Sequence, residues 1–525
     1  MASLGSPFVI KKAFPPKEIR VVSVPMDDCI VEIMQLLAEE ISALANIKMS
    51  KNFPFIRSFK TKSIHFYFDT KSKYANCATH KNFLCLRDKP IKSMKSKQLY
   101  FSMLVVAMSL GTAWAIRGQF GHEHGAAWAG GIGSLATLLV VKRKDWLAKS
   151  FSVVLAGALG WGLGGMMSYG LVVGYGRGSD WPNVFYGLSM LFVIGGLYGF
   201  LGGGLFGLGL SNTIKKPVKW PKLILEMAIG GIIFYFFIVE QFGWNMTPPR
   251  SEVWAVCLGM AVALTWNMIR GKKKSALRVA IFSGLGGGFG FAFGNFLQVL
   301  GQTSEIHFNF WNVMEYSLGF FGGLGLAYGT LTSDWGKDKP APTKNQVFQL
   351  IMLVLVIPVI MWQQNFEWER IQSTFVKLLP TDDYAFYDGV IWGSVVLIVA
   401  LGSYWIFRFK QFETLDYREV KTFFFGHWAL YITLSFLVTG AFISTYRVEQ
   451  YLYIVNFVVI FFLIDRTEPE IIPRSLKLFT GFKNAAIVLV FIGILAAIAV
   501  SSHGEIKGAK KRFGAEPAVV DTLKK

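Results

Sequence analysis

Apolar blocks, each near the length that crosses a bilayer, follow one another along most of this chain and are separated by short polar connections. Thirteen such blocks run approximately over residues 98–116, 125–141, 151–174, 184–210, 223–242, 252–269, 279–300, 311–331, 346–363, 389–407, 422–443, 449–465 and 484–501. The pattern predicts an all-α polytopic membrane protein with about 13 transmembrane helices.

The first eight blocks read as one four-helix unit written twice, over residues 98–210 and 222–332. Leu159 to Gly165 (LGWGLGG), Trp181 to Val184 (WPNV) and Gly195 to Gly199 (GGLYG) are answered by Leu285 to Phe291 (LGGGFGF), Trp311 to Val313 (WNV) and Gly322 to Leu326 (GGLGL). The expected architecture is an 8-helix core of two parallel four-helix repeats plus a five-helix C-terminal bundle. Domain limits follow: a polar cytoplasmic segment over 1–93, repeat units over 94–210 and 211–332, a cytoplasmic linker over 333–345, a membrane bundle over 346–503 and a basic tail over 504–525. The Met94-Lys-Ser-Lys sequence just before the first block also reads as a natural start of the chain.

Of the 54 glycines, 42 fall within the two units, and their four-residue spacings predict glycine zippers that let backbones approach closely in lipid. Gly160 and Gly164, then Gly195, Gly199, Gly203 and Gly207, then Gly286, Gly290 and Gly294, then Gly319 and Gly323 mark four helices as the tight centre. The same glycines leave room for helices to unwind at a transport site.

A net charge of +20 suggests nucleic acid in a soluble protein, but here Lys and Arg crowd alternate short loops. Even-numbered connections hold 24 and odd-numbered ones 6, which places the segment before the first block in the cytoplasm and implies no nucleic-acid partner. The cationic tail, with Lys507, Lys510, Lys511 and Arg512, then falls on the outer side, against the trend. Cys29, Cys77, Cys85 and Cys257 form no CxxC spacing, so neither a disulfide framework nor a zinc ribbon is indicated.

Chemically suggestive residues gather at the outer ends of the first eight blocks. Arg117, His122, Glu123 and His124 share one short loop, Arg250 and Glu252 occupy the matching loop of the second unit, and Glu305 and His307 lie in a third. An ion pair of Arg117 with Glu123 or Glu252 is the expected arrangement. His122, His124 and His307 are the candidate metal ligands, although two histidines two residues apart share a face only in an extended segment. Glu315 stands about one turn inside its block, where Tyr186 takes its place in the first unit, and Asn295 follows the last zipper glycine. Ionisable groups in such positions line cavities or proton paths.

No Walker, GxSxG, Rossmann or HExxH motif is present, and no cofactor is expected. The duplicated architecture is similar to that of secondary transporters whose halves are related by an axis along the membrane normal, without a shared motif. The expected function is a secondary transporter or permease for a small solute, its pathway between the two units and lined by Glu315, Asn295, Arg117, Glu123 and Glu252. A membrane-embedded enzyme acting on a lipid or lipid-linked substrate at the outer face, or a non-catalytic subunit of a membrane complex or homo-oligomer, are the alternatives. The loop bias and the Met94 start point to a bacterial inner membrane.

Overall fold

The computed structural model describes residues 88–514, apart from 121, 305, 337–345, 380–381, 411–414, 445, 469–470 and 475–477. The polar segment with Cys29, Cys77 and Cys85, and the end of the basic tail, lie outside the described residues. The chain divides into two compact units, residues 1–97 with 477–487 and residues 98–476 with 488–525, and the contacts below all belong to the second.

Among the described residues every regular element is helical. In chain order these are α1 (Asp88–Arg117), α2 (His122–Val141), α3 (Lys144–Leu147), α4 (Ser150–Gly165), α5 (Gly170–Tyr175), α6 (Trp181–Leu210), α7 (Trp220–Tyr235), α8 (Val253–Arg270), α9 (Lys274–Thr303) and α10 (Phe310–Leu331). They continue as α11 (Val347–Ile351), α12 (Ile357–Asn365), α13 (Trp368–Phe375), α14 (Tyr384–Phe409), α15 (Tyr417–Thr439), α16 (Val448–Leu463) and α17 (Leu478–Ser502). A π-turn at Phe236–Gln241 prolongs α7, and another at Met352–Val356 joins α11 to α12 just before Pro358, which has no N–H for the regular ladder.

Ten of the described helices are long and apolar enough to cross a membrane, fewer than the thirteen expected. The other three blocks are helical and fall outside that count for separate reasons. Block 151–174 is interrupted at residues 166–169, which leaves α4 and α5 short. Asn312, Glu315 and Ser317 dilute the apolar character of α10. Of α17 (Leu478–Ser502), the apolar stretch Ala486–Ser502 is the part whose side chains are described throughout.

Helices α6, α9 and α10 pack along their lengths, with α4 against α6 and α2 against α4. Glycine permits this because hydrocarbon offers no hydrophobic drive between helices and close van der Waals approach must supply it. A Cβ at Gly199 would stand 2.0 Å from the Ser283 carbonyl oxygen, one at Gly195 2.3 Å from that of Gly287, and one at Gly290 2.5 Å from that of Ser317. The α7 and α8 pair is the contrast, since it carries much of its apolar surface outward at Ile224, Ile232, Phe236 and Trp266. Helix α15 closes the other flank, where Trp128 stacks on His427 and Tyr431 at centroid distances of 4.9 and 4.6 Å.

Helix α6 is fastened at both ends. Asp180 caps its start by accepting from the Asn183 N–H at 3.0 Å, with Pro182 in the first turn. At its end the orphan carbonyls meet two lysines from neighbouring connections. Lys149 Nζ donates to the Gly209, Leu210 and Asn212 oxygens at 3.0, 2.8 and 3.0 Å, and Lys273 Nζ donates to Ser211 at 2.7 Å. Cations belong at a helix C-terminus, yet desolvation here outweighs that attraction and pushes both lysines down to about 8.

Two outcomes follow for the purified protein in detergent. Gly199→Ala should lower the melting temperature through overpacking of about 1–3 kcal/mol, whereas Gly393→Ala, with nothing within 4 Å of the new Cβ, should leave it unchanged or raise it. Because the unfolded chain keeps its lysine protons to about 10.5 while folded Lys149 and Lys273 release theirs near 8, these two groups should make stability rise with pH between those values. Thermal unfolding of Lys149→Met across that window should show a shallower rise than the wild type.

Candidate functional site

The interruption of α4 and α5 sits beside the most deeply buried charges of the molecule. Residues 166–169 leave the helix after Gly164 and Gly165, and Tyr169 turns inward before α5 resumes. Arg117, at the last turn of α1, and Glu315, in the second turn of α10, meet there with side-chain exposures of 2% and 1%. Arg117 Nη1 lies 3.3 Å from each carboxylate oxygen of Glu315. That is longer than the 2.7–2.9 Å usual for a charge-assisted bond. The Tyr169 hydroxyl closes the gap, accepting from Arg117 Nη1 at 2.7 Å and donating to Glu315 Oε1 at 2.8 Å.

Aromatic side chains wall this polar triad. Tyr198 of α6 receives a bond from Arg117 Nη2 at 3.4 Å. Trp114 lies under the guanidinium at 5.5 Å and meets Trp161 and Tyr198 edge-on at 5.0 and 5.1 Å. Phe291 stands edge-on to Tyr169 at 5.0 Å. In so apolar a wall a charged pair gains from every further hydrogen bond, and the two tyrosine hydroxyls supply them.

Of the partners expected for Arg117, Glu252 is engaged elsewhere, and the structure shows Arg117 paired with Glu315. Glu252 is spent on its own loop: its oxygens accept from the Met246 and Thr247 N–H groups at 2.7 Å and from Trp254 Nε1 at 2.6 Å. Short local donors reach a loop carboxylate before a distant guanidinium can. The side chains of His122 and Glu123 lie outside the described residues. His124 Nδ1 is 3.2 Å from Gln364 Oε1, and His307 is exposed. Among the described residues no three His, Cys, Asp or Glu side chains are grouped to hold a metal ion.

Asn295 occupies a second buried position. Its Nδ2 donates to Gln298 Oε1 at 3.2 Å, its Oδ1 has no hydrogen-bond partner among the described residues, and Gly176 is close enough that a Cβ there would stand 2.0 Å from Oδ1. Next to Gly176, Arg177 lies half-buried with Cζ 5.5 Å over the Trp311 ring, and burial lowers its pKa. Trp311 in turn stacks on Tyr169 at 6.5 Å. Sequence reading missed Tyr169, Tyr198 and Arg177 and gave Trp311 as part of the repeated WNV motif. The one available signal was Met166-Met167-Ser168-Tyr169, a run without glycine between two glycine-rich stretches.

A family model described as Photosynthesis affected mutant 68 matches residues 272–341, a stretch that contains the α9 and α10 hairpin. No curated protein and no solved structure matches the chain.

Removing one member of a buried ion pair leaves the other uncompensated, at a cost of about 3–5 kcal/mol. Arg117→Met and Glu315→Met should each lose on that scale in thermal unfolding. The double variant should recover part of the loss, giving a favourable coupling in the four-member cycle. Two losses that simply add would show that the pair does not act as a unit.

Proposed function

We propose that this membrane protein is a secondary transporter or permease for a small solute, with its pathway between the segments 98–210 and 222–332. The supporting observation is the Arg117–Glu315 pair, which joins one segment to the other and is bridged by Tyr169 from a helix break. Discontinuous helices free backbone groups and supply a hinge, and buried ionisable residues beside them are where substrate or ion coupling takes place. In this reading Glu315 is the coupling carboxylate. Opening of the pair would release Arg117 and the Tyr169 hydroxyl together, and the break would let α5 move relative to α4. Residence in a bacterial inner membrane belongs to the same proposal.

A second reading takes the chain as a non-catalytic subunit of a photosynthetic membrane assembly. Its support is the match of residues 272–341 to a family whose description concerns photosynthesis. That match covers one hairpin, and the buried charge pair has no role in this reading.

Reconstitution decides between them. Proteoliposomes containing the full chain should take up at least one solute from a panel of small organic acids, amino acids and sugars above protein-free vesicles. Glu315→Gln should cut the rate by about tenfold or more, the effect of losing ~1.4 kcal/mol from a charge-assisted bond. Uptake that is indifferent to Glu315→Gln at every pH removes this residue from coupling, and quantitative co-purification with a photosynthetic complex would favour the second reading.

A further inference from the structure

Arg177 stands apart from Arg117, whose guanidinium is paired with Glu315. It lies on the connection between α5 and α6, its Nε is buried without a hydrogen bond, and among the described residues no carboxylate forms an ion pair with it. The acid nearest in sequence, Asp180, is already engaged, its oxygens accepting from the Asn183 backbone N–H at 3.0 Å and from Asn183 Nδ2 at 2.9 Å.

The C-terminal segment after α17 comes to the same place. The Lys510 N–H donates to the Gly174 oxygen at 2.9 Å, the Arg512 and Phe513 N–H groups donate to Asn183 Oδ1 at 2.5 and 2.9 Å, and Arg512 Nη2 donates to the Asn245 oxygen at 2.8 Å. Gly508 lies against the Arg177 guanidinium so closely that a Cβ would stand 2.7 Å from Nη1, and its φ of 84° suits glycine alone. The tail thus adds Lys510 and Arg512 to a rim that already holds Arg177.

A half-buried guanidinium whose Nε lacks a partner is partly desolvated without compensation, and a planar fork laid on an indole is preorganised for bidentate recognition of a carboxylate or phosphate. The Trp311 ring that carries it stacks on Tyr169, whose hydroxyl binds both Arg117 and Glu315. Two rings therefore connect this cation to the charge pair of the core.

We propose that Arg177, set between Trp311 and the C-terminal segment, is the receptor for the anionic head of the solute, a small molecule carrying a carboxylate or phosphate group. This deepens the transporter reading and rests on it. A lipid phosphate headgroup shares the same chemistry, and the experiment separates the two sources.

The full chain, purified in dodecyl maltoside and a buffer free of carboxylate and phosphate, is titrated by calorimetry with acetate, lactate, succinate, citrate, inorganic phosphate and glycerol 3-phosphate. Dihexanoyl phosphatidylglycerol serves as the lipid arm. At least one of the soluble anions should bind, with Kd raised at least about tenfold in Arg177→Gln, ~1.4 kcal/mol, and less in Arg177→Lys, which keeps the charge but not the fork. Should Arg177→Gln fail to fold, the Arg177→Lys comparison carries the test.

Absence of binding by every soluble anion, binding by the lipid alone, or equal affinity in wild type and both variants would overturn the assignment. Arg177-dependent binding without any vesicle uptake would leave the site standing and defeat the transporter reading. Uptake that depends on Glu315 but not on Arg177 would do the reverse.

Discussion

A guanidinium and a carboxylate held together in an apolar bundle constrain everything around them. Arg117 ends α1 and Glu315 begins α10, so their contact fixes where these two helices meet. The pair is not self-sufficient: its N–O distances of 3.3 Å leave room that the Tyr169 hydroxyl fills. To bring that hydroxyl inward, the chain leaves helical geometry between α4 and α5. The helix break, the buried pair and the tyrosine are one feature, since none of the three is satisfied without the others.

The glycines act on a different scale. Their contribution is to bring α6, α9 and α10 to backbone contact, as at Gly199 on Ser283 and Gly290 on Ser317. This leaves space elsewhere for large rings, and Trp114, Trp161, Tyr198 and Phe291 use it to surround the charges. Close packing on one side and aromatic walls on the other keep water from the pair, which strengthens its electrostatic attraction and raises the cost of breaking it. Lys149 and Lys273 hold the carbonyl end of α6 outside this region, so the helix that carries Tyr198 is anchored at the opposite end from its Asp180 cap.

The end of the bundle that carries the 176–180 connection is built from parts distant in sequence. Asn183, one turn into α6, binds the backbone of residues 512 and 513, and Gly174 of α5 binds that of 510. The tail's cations therefore make particular contacts at the end of the bundle that carries the 176–180 and 243–251 connections. Their disagreement with the loop-charge trend has this explanation, because a residue fixed by contacts need not obey a rule about topology signals.

The helices themselves were legible in the linear pattern because a bilayer-length apolar run has few other solutions. Each of the thirteen blocks contains helix where it is described, with the break at 166–169 inside the third, and Glu315 stood out because a carboxylate inside such a run is rare. Which partner it takes was not legible. Arg117 and Glu315 are 198 residues apart, and loop proximity favoured Glu123 or Glu252 as the partner of Arg117; the N–H groups of Met246 and Thr247 claim Glu252 first. The break at residues 166–169 was hidden because Met, Ser and Tyr do not forbid a helix. Only the pull of a buried charge pair on the Tyr169 hydroxyl, an interaction across the tertiary structure, makes leaving the helix the better outcome.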